Sequence, residues 1–114
     1  MAILHAQAGE VVDVRPLGES LPDTKTCALI KSQNFEVIRM VMLAGKEIAE
    51  HQAKGEIIVQ CLEGLVLFSI AEKQVELSAG HLIHVRTGEP HSLKAVANSS
   101  LLLTMLLHHE SDSV

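Results

Sequence analysis

A chain of 114 residues with a net charge of −5 fits one domain and has no electrostatic reason to lie along a phosphate backbone. It has no Trp or Tyr and only two Phe, so the stacking platforms of a single-strand nucleic-acid binder are missing too. Hydrophobic residues make up 47% of the chain, yet no apolar run approaches the roughly 20 residues of a membrane-crossing helix. Met1 to Pro16 shows no basic start followed by a long apolar stretch, so no secretory signal is read there and a cytoplasmic location is expected. Nucleic acid and membrane are both excluded as expected partners.

In chain order, Val11–Val14 reads as a first strand, followed by a turn-rich segment from Pro16 to Asp23. Cys27–Lys31 and Phe35–Leu43 read as strands hinged at Ser32-Gln33-Asn34, and Ala44-Gly45-Lys46 reads as a turn. A short strand-like stretch then leads from Gly45 to His51. Glu56–Leu62 and Leu65–Ala71 read as a hairpin across Glu63-Gly64. Gln74–Leu77, His81–Arg86, Ser92–Val96 and Leu101–Leu107 complete the series. No stretch combines helical periodicity with caps, and short strands at regular spacing predict an all-β sandwich or barrel.

Several of these strands are apolar on both faces. Phe35, Val37, Val41 and Leu43 share one face of their strand, while Ile38, Met40 and Met42 share the other; Leu101–Leu107 is apolar almost throughout. A strand with one wet face alternates apolar and polar residues, so the outer face here is expected to be covered. Either the chain's own N-terminal strands cover it or a second copy does, and a closed homodimer is the expectation. Cys27 and Cys61 are too few and too far apart for a disulfide framework or a zinc ribbon and read as small buried thiols.

Two histidine-centred segments carry the strongest signal. In the first, Gly45, His51 and Gly64 are spaced by five and twelve intervening residues; in the second, Gly80, Gly88 and His91 are spaced by seven and two. These spacings resemble the two conserved motifs of the cupin superfamily, small single-domain RmlC-like barrels. The resemblance covers roughly residues 35–107. It implies an all-β, single-domain antiparallel jelly-roll barrel over residues 1–114.

In metal-binding members of that superfamily a His-x-His pair, a glutamate and a later histidine hold one divalent metal. Here the second histidine position is Ala53, the glutamate position is Ile57 with Glu56 one residue away, and Arg86 and Ala95 replace the usual proline and asparagine of the second motif. Only His51 and His91 of the four ligands remain. A first-row divalent ion in such a site normally takes three or four protein donors, so the resemblance implies a degenerate site. No cofactor is expected, and a divalent transition metal enters only if a bulge near Gly55 swings Glu56 inward beside His51 and His91.

Strand alternation puts Ile57, Val59 and Cys61 on one face and Glu56, Ile58 and Gln60 on the other. The expected ligand-binding set is therefore His51, Ile57, Val59, Cys61 and His91, an apolar cavity with two polar anchors for a small anionic or carbonyl-bearing molecule. His81 is expected to be exposed and His84 to lie on a strand surface, while His108-His109-Glu110 opens a polar tail. Ser92 follows His91 directly, and neighbours on a strand point to opposite faces, so the two form no nucleophilic pair. No Gly-x-Ser-x-Gly elbow or glycine-rich phosphate loop is present, and no catalytic residue is named. The leading expectation is a small-molecule-binding protein with little or no catalysis. One alternative is a metal-dependent oxygenase or isomerase using His51, His91 and Glu56; another is a non-catalytic structural or regulatory homodimer.

Overall fold

Apolar residues at every second position give each strand one face to bury, and two sheets built from such strands bury those faces against each other. The computed structural model describes residues 5–107. Among them are β1 (Cys27–Lys31), β2 (Phe35–Met42), β3 (Glu47–His51), β4 (Ile57–Glu63), β5 (Leu65–Ile70), β6 (Lys73–Ser78), β7 (Leu82–Val85), β8 (His91–Ala95) and β9 (Ser99–Leu106). A five-stranded sheet runs β1-β2-β9-β4-β7 and a four-stranded sheet runs β3-β8-β5-β6. All the pairings are antiparallel, which makes the arrangement a jelly-roll barrel, as the two motifs imply.

Between the sheets lies a core of Met42, Ile57, Val59, Cys61, Val66, Phe68, Ile70, Leu77, Val85, Leu93, Ala95 and Leu101. Alternation places these residues as expected: Ile57, Val59 and Cys61 are buried, while Glu56 and Ile58 are exposed. In β2 the Met40 and Met42 face packs on the core, so Val37, Arg39 and Val41 point outward.

Two sequence expectations fail. Val11–Val14 forms no strand; two consecutive valines supply β propensity but no strand partner, and the one backbone bond from this N-terminal region to β1 among the described residues comes earlier, from Ala6 N to Leu29 O (2.9 Å). Pro16 to Asp23 is turn-rich, as expected, with a short 3₁₀ turn at Gly18–Asp23. Glu63-Gly64 is not a hairpin turn. Strand β4 pairs with β7 and β9, β5 pairs with β6 and β8, and Gly64 is the corner at which the chain crosses between sheets. The tight hairpin is instead β5–β6, whose turn puts Ala71 and Glu72 at positive φ (52° and 63°) without the usual Asn-Gly pair. His108-His109-Glu110 lies outside the described residues.

The segment before β1 lies over the outer face of β2, held by two charged side chains. The Glu63 carboxylate accepts from the backbone N–H of Leu17 (2.7 Å) and Gly18 (3.0 Å) and from the Ser100 hydroxyl. Arg39, only 6% exposed, donates Nη2–H to the Arg15 carbonyl (2.9 Å). Part of the outer apolar face is thus covered by the chain itself, by irregular backbone rather than by strands.

Burial alone would raise the Glu63 pKa, but the hydrogen bonds from Ser100, Leu17 and Gly18, helped by the Arg39 charge, outweigh it and hold the carboxyl below its ordinary value of 4.5. A folded-state pKa below the unfolded one stabilises the attachment above the unfolded value, and that stabilisation is lost as pH falls through the folded value. Amide protection at Leu17 and Gly18 is therefore expected to drop on acidification below pH 4.5. Glu63→Gln should lower protection at neutral pH and remove the acid dependence; an unchanged acid profile in that variant, read by hydrogen exchange, would refute the assignment.

Candidate functional site

His51 ends β3 and His91 begins β8, and the ladder makes them direct cross-strand partners. Directly opposed residues on one face hold their side chains in contact. Upstream, Ile48 pairs with Leu93 and both face the core, so strict alternation would turn Glu50 inward rather than His51. A register irregularity between Ile48 and His51 inserts the extra residue that re-aims His51 toward its partner. The ring centroids then lie 4.2 Å apart at an interplanar angle of 58°.

The two rings occupy different environments. His91 is 1% exposed and stacks parallel on Phe68 of β5, with centroids 5.6 Å apart and 3° between planes. His51 is exposed, so the pair runs from the surface into the interior. Each ring is oriented by its own strand: His91 Nδ1 lies 2.9 Å from the Glu89 carbonyl oxygen and His51 Nδ1 lies 2.9 Å from the Ala49 carbonyl oxygen. A carbonyl oxygen only accepts, so Nδ1 carries a proton on both rings, and Nε2 is the nitrogen this bond leaves uncommitted.

The other expected wall residues sit deeper. Ile57, Val59 and Cys61 are packed into the core on the inward face of β4, and the Cys61 thiol points toward the Glu63 carbonyl (3.4 Å). Burial raises the Cys61 pKa, the Glu63 backbone bond opposing it, so the group is an uncharged thiol rather than a soft metal ligand. Ala53 also packs on the core and accepts at its carbonyl from Gly88 N (2.9 Å), which ties the two histidine-bearing segments together.

Glu56 does not join the pair. Gly55 is pressed against the end of β9, where a Cβ would meet the Leu106 carbonyl oxygen at 2.1 Å, and Glu56 points outward to His84 Nε2 (2.7 Å). That hydrogen bond on the outer face joins residues 28 positions apart, which only the β4–β7 register brings together. His81 and His84 are exposed, as expected. Among the described residues no three His, Cys, Asp or Glu side chains converge on a point that could hold a metal ion. Two imidazoles beside Ala53 and Ile57 fall short of the donor set that such an ion takes.

Comparison with solved structures returns the same architecture. A conserved protein of unknown function from Streptococcus pyogenes is 23% identical, covers 96% of this chain and 97% of its own length, and superposes with a TM-score of 0.71. A cupin superfamily protein from Desulfitobacterium hafniense, 15% identical, covers 90% of this chain and all of its own, with a TM-score of 0.74. A salicylate 1,2-dioxygenase from Pseudoaminobacter salicylatoxidans matches 63% of this chain at 22% identity and a TM-score of 0.61, but over only 21% of its own length. At such identities these likenesses show the fold alone. No curated protein matches the sequence. The AraC-like ligand binding domain family matches residues 39–112, a span that includes both histidines. A match over more than half of the chain makes this protein a member of the AraC-like ligand-binding domain family, carried on a cupin-type barrel fold.

Proposed function

We propose that this protein binds a small organic molecule at the His51–His91 pair, with the two imidazoles as polar anchors and Ile57, Val59 and Cys61 as the apolar wall beneath. One observation carries the reading: two cross-strand histidines, one exposed and one buried, have Nδ1 committed to backbone and Nε2 left for a ligand. Neutral rings accept from a hydroxyl, and protonated rings donate to a carboxylate or carbonyl. Membership in a ligand-binding family supports the same conclusion.

The metal-dependent oxygenase or isomerase reading requires Glu56 as a third donor, and Glu56 is held by His84 on the opposite face of β4. Two free cysteines are in keeping with a reducing, cytoplasmic setting. No helix among the described residues is long and apolar enough to cross a membrane.

The partner best suited to the uncovered outer face of the five-stranded sheet is a second copy of the chain. The register aligns Val37, Thr104, Ile58 and His84 in one row and Arg39, Leu102, Gln60 and Leu82 in the next. Leu82 is 60% exposed, Leu106 46% and Ile58 43%, so the patch lies beyond the reach of the N-terminal segment. Its embedded Glu56 carboxylate is hydrogen-bonded to the His84 ring (2.7 Å), so the face can meet a copy of itself across a two-fold axis with that carboxylate already engaged within its own chain.

These readings make three predictions. His51→Ala should leave the melting temperature nearly unchanged and abolish the stabilisation that a metabolite panel gives the wild type, whereas elemental analysis of metal-supplemented protein should find no stoichiometric transition metal. Bound metal that His51→Ala releases would sink the ligand reading. His91→Ala, which empties a buried site against Phe68, should cost about 2–4 kcal/mol in denaturant unfolding; a loss below about 0.5 kcal/mol would mean that the ring is not packed as described. Finally, the Ile58→Lys/Leu82→Lys double variant should scatter light as a folded monomer and the wild type as a dimer; a monomeric wild type rejects the interface.

A further inference from the structure

Arg39 tethers the N-terminal segment through one of its nitrogens only. It sits on the outward face of β2, on the far side of the five-stranded sheet from His91, and is 6% exposed. Its Nη2 bonds to the Arg15 carbonyl, while its Nε has no hydrogen-bond partner although it is buried. Among the described residues it is the one buried side-chain nitrogen or oxygen left in that state. Leaving a donor unmade on a buried charge carries a heavy desolvation cost, so such an atom calls for a partner that the chain itself does not supply.

Glu63 is not that partner. Its oxygens are taken by Leu17 N, Gly18 N and the Ser100 hydroxyl. Arg39 instead forms the floor of a crevice of about 530 Å³ between the sheet and the N-terminal segment, lined by Asp13, Arg15, Pro16, Leu17 and Ser20. At its rim a second guanidinium is provisionally occupied: Arg15 Nε and Nη2 grip both Asp13 oxygens (3.0 and 2.7 Å) in a fork, and both side chains are well exposed. A guanidinium held this way presents the planar fork that recognises carboxylate and phosphate oxygens.

We propose that this crevice is a second ligand site, one that takes a small oxyanion: the ligand enters between the N-terminal segment and β2, gives the orphaned Arg39 Nε an acceptor, and displaces Asp13 from Arg15. Asp13 is then a built-in competitor that mimics the ligand. The Arg15 hydrogen bonds hold its pKa at about 2, so protonation does not free Arg15 in the range where ligand carboxylates are charged; a competing oxyanion does. Because the Arg15 carbonyl and the Leu17 and Gly18 amides anchor the same segment, occupancy also fastens that segment to the sheet.

The full chain can be titrated calorimetrically with succinate and, separately, with inorganic phosphate at fixed ionic strength, chloride serving as the reference anion. Saturable binding of at least one of the two is expected, and the arm that binds distinguishes a carboxylate from a phosphate ligand. Asp13→Asn should tighten binding and Arg15→Gln should weaken it, each by about fivefold, the scale of one exposed ion pair. Arg39→Lys keeps the charge, removes Nε and should abolish binding. If that variant does not fold, the two exposed substitutions decide the matter alone. His51→Ala must leave the affinity unchanged, which separates this site from the imidazole pair. Failure of both oxyanions to saturate, no gain in Asp13→Asn, or loss of binding in His51→Ala would each overturn the proposal.

Discussion

The architecture depends on a corner that only one residue type can make. Gly64 takes φ +94° between β4 and β5, and a Cβ there would lie 2.2 Å from the Ser99 hydroxyl and 2.4 Å from the Asn98 carbonyl oxygen. No side chain fits that space or that backbone conformation. Ser99, fully buried, locks the corner by donating to the Ala97 carbonyl (2.7 Å) and accepting from Leu65 N (3.0 Å). Because the chain turns so sharply, β4 joins one sheet and β5 the other, and the apolar faces of both meet in the core.

The histidine pair follows from that division. With β5 in the four-stranded sheet, Phe68 comes beside His91 from the adjacent strand, and the parallel stack holds the buried ring at a fixed tilt. Strand β3 reaches His91 from the other side and delivers His51 through an irregular register. A buried inner ring stacked on Phe68 and an exposed outer ring are each oriented by a backbone carbonyl. Ile57, Val59 and Cys61 pack in the core together with Phe68, on which the His91 ring stacks.

On the other side of the five-stranded sheet the chemistry is different. Glu63 and Arg39, a carboxylate and a guanidinium beneath the N-terminal segment, replace the strand-to-strand cover that the apolar outer face seemed to require. The cover reaches β2 and stops short of Ile58, Leu82 and Leu106. Polar tethers hold irregular backbone where a ladder would have satisfied it automatically, and Arg39 Nε is the one buried side-chain nitrogen or oxygen without a hydrogen bond among the described residues.

How much of this was legible beforehand depended on the range of the interactions. Alternation is local, so the inward set Ile57, Val59 and Cys61 and the outward Glu56 were readable directly, and the motif spacings named the barrel and placed His51 and His91 at one end of it. The Glu63-Gly64 hairpin was misread because a glycine after a strand looks the same whether the chain turns back or crosses over, and only the pairing of β4 with β9 distinguishes them. Val11–Val14 had propensity without a neighbour. The Glu56–His84 pair, the Glu63 clamp and the Arg39 crevice join residues 24 to 46 positions apart. Which side chains face inward could be read from the residues alone, because it follows from strand period, and the barrel type came from the resemblance of the two histidine motifs to the cupins. Tertiary structure alone decided which sheet each strand enters and which charges meet, because those contacts depend on a register that exists only once distant strands have paired.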